Sequence, residues 1–244
     1  MIIKDTFINY VQYGNNEGKN IVLLHGWGQN IEMMDPIGRR LQDDFKITII
    51  DFPGFGKSPE PPFSWTMDDY LEAVKLLLKK LKIKKPIVIG HSFGGRIALM
   101  YAATEEVTKL ALFGTPFRRT NKKATLKLKI LKFMKKVPVI NKLEGYMKKR
   151  IGSRDYRNAT PIMRQILVNV VNYDYLPFVS KIKASTILIW GSNDTEVPLS
   201  EAEYMESVIP DCGLIVYEGC THFAYIERLD QTVNILNEFL KDVK

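Results

Sequence analysis

A serine stands among glycines in the stretch VIGHSFGGRIAL, which runs from Val88 to Leu99. Its G-x-S-x-G pattern, from Gly90 to Gly94, follows an apolar run and precedes a segment with helical character. A reactive serine on a sharp strand-to-helix turn needs small neighbours, because larger side chains would collide with the turn. The free N–H groups of the following helix favour negative charge at the serine. The pattern therefore predicts that Ser92 is a nucleophile.

A serine hydroxyl needs a base to accept its proton, and the chain offers three histidines. His91 is the sequence neighbour of the serine and is expected to point away from it across the turn. His25 belongs to the separate motif HGWG. His222, in the loop after the last predicted strand, is therefore the predicted base.

The base in turn needs an acid that fixes its tautomer. Asp194, in the segment WGSNDTEVP, stands just past the end of a predicted strand. Glu196 and Asp211 remain rivals for this position. With Asp194 as the acid, the order Ser92, Asp194, His222 is the order in which one fold class carries its catalytic triad.

Backbone amides are the predicted stabilisers of the negative oxygen that forms when a serine attacks a carbonyl group. The segment LLHGWGQN follows an early strand, and Gly26 and Gly28 allow its chain to turn. We expect the oxyanion hole to consist of the amides of Trp27 and Phe93. His25 is then predicted to brace this loop through hydrogen bonds.

The elements that must position these residues are short apolar runs closed by glycine or polar residues, with helical segments between most of them. Such alternation predicts a mostly parallel sheet with helices on both faces. The opening TFINYVQYG resembles a strand and leads through NNEGKN, a predicted hairpin connection, into IVLLHG. Helices are predicted over TMDDYLEAVKLLLKKL and over Leu229 to Leu240. The other predicted strands lie in FKITIIDFPGFGKS, PIVIGHS, VTKLALFG, STILIWG and GLIVYEG.

About 67 residues between LALFGTPF and STILIWG contain no convincing strand. Thr160 followed by Pro161 is a typical helix start, with an N-cap residue before proline at the first helical position. We therefore predict an all-helical cap over residues 117–178, inserted into a core formed by residues 1–116 and 179–244.

Composition limits the class of protein. With 244 residues, 45% hydrophobic and 25% charged, the chain is expected to be globular. It has no apolar run near the roughly 20 residues of a membrane span, and no signal peptide is recognised, so we expect a cytoplasmic protein. Two cysteines, Cys212 and Cys220, and three scattered histidines predict neither a disulfide framework nor a metal site.

In motif order the chain resembles an α/β-hydrolase with a helical cap, through HGWG, DFPGFGKS, GHSFGG, WGSNDTEVP and GCTHF. The resemblance covers nearly the whole chain. It implies a serine hydrolase that needs no cofactor and cleaves a small or medium acyl ester or thioester through an acyl-enzyme on Ser92. It also implies a pocket between the triad and the cap, with candidate lining residues Trp27, Phe93, Phe117, Phe133, Met134 and Met147.

Other activities remain open within this resemblance. A carbon–carbon bond hydrolase, or a lyase like that of menaquinone synthesis, would use the same triad. A ligand sensor with a hydrolase fold would bind a small molecule without turnover.

Positive charge is concentrated in the predicted cap. Residues 117–160 contain 15 basic and two acidic residues, whereas the rest of the chain contains 20 basic and 25 acidic residues. This basic segment is either a solvated lysine-rich face or a docking surface for an acidic partner such as an acyl carrier protein, which similar pimeloyl-carrier methyl ester esterases engage through their caps. A nucleic-acid partner is not expected, because nothing else in the chain resembles a binding module. The lysines of this basic segment include Lys127, Lys129, Lys132, Lys135 and Lys136.

Overall fold

The computed structural model describes residues 1–118 and 154–244. Within these ranges nine strands form a two-stranded and a seven-stranded sheet. The strands are β1 (Ile2–Ile3), β2 (Thr6–Phe7), β3 (Tyr10–Gly14), β4 (Asn20–Leu24), β5 (Lys46–Ile50), β6 (Ile87–His91), β7 (Lys109–Phe113), β8 (Thr186–Gly191) and β9 (Cys212–Tyr217).

Helices lie between most of the strands of the large sheet, as the sequence predicted. In the described ranges they are α1 (Ile31–Leu41), α2 (Met67–Lys80), α3 (Ser92–Thr104), α4 (Arg154–Asn158), α5 (Pro161–Asn172), α6 (Leu176–Val179), α7 (Leu199–Val208), α8 (Ala224–Glu227) and α9 (Leu229–Phe239), followed by a 3₁₀ turn (Lys241–Val243). The predicted helices at TMDDYLEAVKLLLKKL and at Leu229 are thereby confirmed as α2 and α9.

The strand order in the large sheet is β3-β5-β4-β6-β7-β8-β9, with β3 antiparallel to β5 and every other pair parallel. The predicted hairpin between TFINYVQYG and IVLLHG is therefore wrong. Both edges of β4 are occupied by β5 and β6, so β3 pairs with the outer edge of β5 instead.

The opening segment also divides into two strands rather than one. Ile8 and Asn9 separate β2 from β3, and their amides bond outside the sheets. The Ile8 N–H donates to the Met1 carbonyl at 2.7 Å, and the Asn9 N–H donates to the Ser58 hydroxyl at 2.8 Å.

Apolar residues of the central strands alternate between two buried clusters, one on each face of the sheet. Val22 and Val88 pack on one face with residues of α2, α3 and α7, whereas Ile21 and Ile87 pack on the other with residues of α1 and α9. Strands covered on both faces account for the continuous apolar runs in the sequence.

The predicted cap is helical where the structure describes it. Residues 154–178 hold α4, α5 and α6 and no strand, while residues 119–153 lie outside the described ranges. The predicted start of α5 is confirmed, because the Thr160 hydroxyl accepts a hydrogen bond from the Met163 N–H at 3.2 Å. The domain limits at residues 117 and 178 stay predictions.

Two buried charged side chains hold the chain on both sides of the undescribed segment. Glu201, on α7, accepts hydrogen bonds from the amides of Phe117 and Arg118 at 3.0 and 3.2 Å. Arg96, on α3, donates to the carbonyl of Pro116 at 3.1 Å, and its guanidinium lies 5.1 Å from the ring centre of Tyr175. Polar contacts of two buried side chains therefore hold the described residues on both sides of 119–153.

Replacing Glu201 with alanine is expected to lower the free energy of unfolding by about 2–3 kcal/mol, because two amides lose their acceptor. Urea unfolding measures this as a lower midpoint with an unchanged slope. Glu203→Ala, an exposed position on the same helix, is the control and should change the free energy by less than about 0.5 kcal/mol. Equal effects of the two substitutions would contradict this account of the junction.

Candidate active site

Ser92 stands at the junction of β6 and α3, with a backbone φ of +50°. This left-handed conformation is unusual for a residue with a side chain. The turn is tight, because a Cβ atom at Gly90 would lie 2.6 Å from the carbonyl oxygen of Gly94. A Cβ atom at Gly94 would lie 2.3 Å from the carbonyl oxygen of Leu24, so α3 begins directly against the end of β4. The local structure is the strand–turn–helix that the motif requires.

His222 and Asp194 lie together at the same edge of the sheet. The Nδ1 atom of His222 is 2.8 Å from Oδ2 of Asp194, and only 7% and 1% of the two side chains are exposed. The other carboxylate oxygen of Asp194 accepts hydrogen bonds from the amides of Glu196 and Val197, both at 2.8 Å. With Nδ1–H donating to the carboxylate, the Nε2 lone pair of His222 is available to accept a proton.

The two rival acids lie elsewhere. Glu196 is exposed, and its amide donates to Asp194. Asp211 is also exposed, and its carbonyl oxygen accepts the Thr186 N–H at 2.8 Å at the start of β8. Of the three candidate acids, Asp194 is the one whose carboxylate contacts His222.

Close contacts at the ends of β7 and β8 bring the His222 loop towards the serine turn. A Cβ atom at Gly191 would lie 2.2 Å from the carbonyl oxygen of Cys220. A Cβ atom at Gly114 would lie 3.0 Å from Nδ1 of His222. In residues 1–118 and 154–244 no hydrogen bond joins Ser92 to His222; such bonds are often long before substrate binds. The Ser92–His222 pair therefore stays a prediction.

The predicted oxyanion loop follows β4 and lies against the start of α3. Gly28 has a φ of +72°, and the Gly26 N–H donates to Oε1 of Gln29 at 2.8 Å. The Trp27 ring packs edge-on against Phe93, with 5.5 Å between ring centres. The Phe93 amide belongs to the first turn of α3, where amides have no acceptor within the helix. These positions suit the predicted amide pair, which stays a prediction.

His25 braces this loop through hydrogen bonds, as the sequence predicted. Its Nδ1 lies 2.7 Å from the Gly26 carbonyl oxygen, and its Nε2 accepts the Phe52 N–H at 3.1 Å. The first contact requires a proton on Nδ1, so the ring is neutral with a free lone pair on Nε2. Burial lowers the pKa of His25 to about 4, which keeps the ring neutral at pH 7.

The predicted pocket residues fall into two groups. Trp27 is half-buried, whereas Phe93 is 2% exposed and Phe117 is fully buried with its ring stacked on Tyr204 at 5.4 Å. Phe133, Met134 and Met147 lie outside the described residues. The assignment of all six residues to a substrate pocket stays a prediction.

His91 contacts the base loop, a role that the sequence did not reveal. Its Nε2 lies 3.0 Å from the backbone carbonyl oxygen of His222, and the two ring centres are 4.8 Å apart. Burial lowers the pKa of His91 to about 3. The one signal in the sequence was a histidine directly after an apolar run and directly before the predicted nucleophile.

The described ranges contain no group of three or more His, Cys, Asp or Glu side chains that could hold a metal ion. In the same ranges, no helix is long and apolar enough to cross a membrane.

The two buried neutral histidines make the fold sensitive to acid. The unfolded chain takes up protons near pH 6.5, whereas the folded chain does so near 4 at His25 and near 3 at His91. Stability is therefore fully present above pH 6.5 and falls as the pH is lowered, by up to about 1.4 kcal/mol per pH unit for each histidine. Urea unfolding between pH 7 and about pH 5 measures this slope.

His91→Gln is expected to make the free energy of unfolding depend less steeply on pH, since glutamine does not titrate. The reduction should equal the contribution of one of the two histidines. Carboxylate contributions cancel in the comparison with the wild type. An unchanged slope would show that His91 does not resist protonation in the folded state.

Comparison with known proteins agrees with the fold. Residues 19–138 match the family described as the alpha/beta hydrolase fold. A pimeloyl-acyl-carrier-protein methyl ester esterase of Aliivibrio fischeri strain MJ11 is 26% identical over 248 residues, covering 92% of this chain and 94% of the relative. A 2-hydroxy-6-oxo-6-phenylhexa-2,4-dienoate hydrolase of Comamonas testosteroni is 26% identical over 273 residues, covering 98% and 93%.

Solved structures show the same architecture. An esterase from Exiguobacterium antarcticum superimposes with a TM-score of 0.77 at 22% identity, covering 97% of this chain and 96% of the esterase. The parallel sheet, the serine turn at the end of β6, the matched family model and these similarities together show that the chain has the α/β-hydrolase fold.

Proposed function

We propose that the protein is a serine hydrolase that cleaves a carboxylic ester or thioester through an acyl-enzyme on Ser92. The observation that carries this proposal is the 2.8 Å contact between His222 and Asp194 at the sheet edge where Ser92 adopts its strained turn. Activation of a serine hydroxyl requires a carboxylate that orients a histidine, and this buried pair lies at the sheet edge that also carries the serine turn.

The reaction begins with acylation of the serine. His222 Nε2 accepts the proton of the Ser92 hydroxyl while Oγ attacks the carbonyl carbon of the substrate. The amides of Trp27 and Phe93 donate to the oxygen that becomes negative. His222 then gives the proton to the departing alcohol or thiol, and Asp194 stabilises the imidazolium throughout.

Water completes the cycle. His222 removes a proton from a water molecule, the hydroxide attacks the acyl carbon, and a second tetrahedral species forms over the same amides. The proton on His222 returns to Ser92 Oγ as the acid is released. Neither half of the cycle requires a redox or metal step.

The relatives support hydrolysis and differ in the bond they cleave. One is named as a methyl ester esterase and another as a 2-hydroxy-6-oxo-6-phenylhexa-2,4-dienoate hydrolase. Because that dienoate contains a ketone and no ester, its hydrolysis breaks a carbon–carbon bond. Carbon–carbon bond hydrolysis is accordingly the second candidate function. The ester is preferred, because attack by a base-activated serine on an ester carbonyl needs no group beyond the predicted triad and amide pair.

Ser92→Ala is expected to lower kcat for p-nitrophenyl esters of graded acyl length by about 10⁴-fold or more, because the nucleophile is lost. Steady-state hydrolysis of these esters, of matched thioesters and of 2-hydroxy-6-oxo-6-phenylhexa-2,4-dienoate measures both activity and preference. Faster cleavage of the dienoate than of any ester would favour the second candidate. One slow turnover with tight retention of the ligand would instead indicate a sensor.

The choice of acid can be tested with the same esters. Asp194→Asn should reduce kcat by about 10³–10⁴-fold, because an amide no longer fixes the tautomer of His222. Glu196→Gln and Asp211→Asn are matched controls, since both carboxylates are exposed, and they should retain nearly full activity. A large loss in either control would transfer the acid role to that residue.

We further propose an acyl carrier protein as the bearer of the acyl group. Residues 117–160 carry 15 basic and two acidic residues, and a relative is named for a carrier-linked ester. Opposite charges across an interface mainly accelerate association, and salt weakens that acceleration.

Raising the salt concentration should lower kcat/KM for a carrier-linked ester at least about tenfold and leave a free methyl ester nearly unaffected. The double substitution of Lys132→Glu with Lys135→Glu should produce the same loss at low salt. Lys79→Glu with Lys82→Glu is the control, because these exposed lysines lie outside the basic segment, at the end of α2 and just after it. Equal salt dependence for the two substrates would exclude docking through the basic segment.

A further inference from the structure

We infer that His91 is a positioning residue. It fixes the base loop, which carries His222, relative to the predicted oxyanion loop, which carries Trp27. The inference rests on the proposed function, because it concerns how the same site is held in a reactive geometry. His91 does not touch the reacting atoms and acts through its neighbours.

One side of the His91 ring holds the loop that carries the base. A neutral imidazole donates from one nitrogen, and the 3.0 Å contact of Nε2 with the His222 carbonyl oxygen assigns the proton to that nitrogen. The contact joins residues 131 positions apart. It fixes the backbone of His222, while Asp194 fixes the ring of the same residue through Nδ1.

The other side of the ring lies against the predicted oxyanion loop. Nδ1 of His91 is 3.3 Å from Oε1 of Gln29, which accepts the Gly26 N–H; since Nδ1 carries no proton in this tautomer, the two atoms are in contact without a hydrogen bond. A Cβ atom at Gly26 would lie 2.8 Å from Nδ1 of His91, so the imidazole occupies the space beside the residue before Trp27. The ring thereby limits how far this loop can approach the base.

Aromatic contacts hold the imidazole itself in place. The ring centre of Tyr225 lies 4.7 Å from that of His91, and Tyr225 stacks in turn on Phe113 at 5.2 Å. His91 is fully buried, with 0% exposure. A ring enclosed in this way has one orientation, because its surroundings are close-packed.

The position of His91 in the chain explains why such a ring affects catalysis. His91 directly precedes Ser92 in the chain. The residue next to the nucleophile therefore also contacts the loop of His222 and the predicted oxyanion loop. Displacements of about 1 Å between reacting groups can reduce a rate by about 100-fold. Loss of the His91 donor should therefore affect turnover more than binding.

The test compares His91→Phe, which keeps an aromatic ring but removes the donor, with His91→Gln, which returns an N–H donor at about the same reach. Both variants and the wild type are assayed with a free p-nitrophenyl ester well below their unfolding temperatures. We expect His91→Phe to lower kcat about 10- to 100-fold with little change in KM. His91→Gln should recover most of that loss.

Tyr225→Phe is the matched control. It removes a polar group from the same ring cluster, and in the described part of the chain the Tyr225 hydroxyl has no hydrogen-bond partner. Its kcat should equal that of the wild type. A similar loss in this control and in His91→Phe would indicate general disturbance of packing and would overturn the inference.

The outcomes separate this inference from the proposed function. Wild-type kcat in His91→Phe, in a protein whose Ser92→Ala variant is inactive, would reject the positioning role and leave the serine hydrolase intact. Full activity in Ser92→Ala would reject the proposed function itself. A lower unfolding temperature in His91→Phe without a change in kcat would assign His91 a role in stability alone.

Discussion

The strained turn at Ser92 is the constraint on which the rest of the site depends. A residue with a side chain at a φ of +50° costs about 1–3 kcal/mol and persists only where its surroundings impose it. Both flanks impose it here. β6 is hydrogen-bonded between β4 and β7, and ten residues of α3 are buried. Neither element can shift to relax the turn without breaking the sheet or exposing the core.

The parallel sheet then determines where the partners of the serine lie. Carboxyl ends of parallel strands meet at one edge, so the segments after β4, β6, β7, β8 and β9 converge there although they are distant in sequence. A carboxylate that is 1% exposed is costly unless its oxygens are hydrogen-bonded. The amides of Glu196 and Val197 and the ring of His222 meet this need, so the acid is stabilised by its own loop as well as by its partner.

The sequence predicted those features that are set by local chemistry. Apolar runs identified the central strands, and the capping residue Thr160 identified the start of α5, because burial on two faces and helix capping act on neighbouring residues. It failed for the pairing of β3, which depends on which sheet edge is free after β4, β5 and β6 have assembled. The sequence also did not predict the contact of His91 with His222. The two residues are 131 positions apart, and no local sequence pattern indicates a hydrogen bond over that separation. The association of Asp194 with His222 could be predicted from the sequence, because both residues follow the ends of predicted strands.

The predicted catalytic residues and the excess of basic residues lie in different parts of the chain. This separation affects how a charged partner would approach. The groups that place the proton and the nucleophile belong to strands and loops of the core, whereas the excess of basic residues lies in 117–160. Outside that segment acidic residues exceed basic ones, 25 against 20. Electrostatic attraction in physiological salt acts over only about 8 Å, so a partner responds to the local face and not to the net charge of +8. The proposed acidic carrier would therefore be attracted to the basic segment rather than to the mildly acidic remainder of the chain.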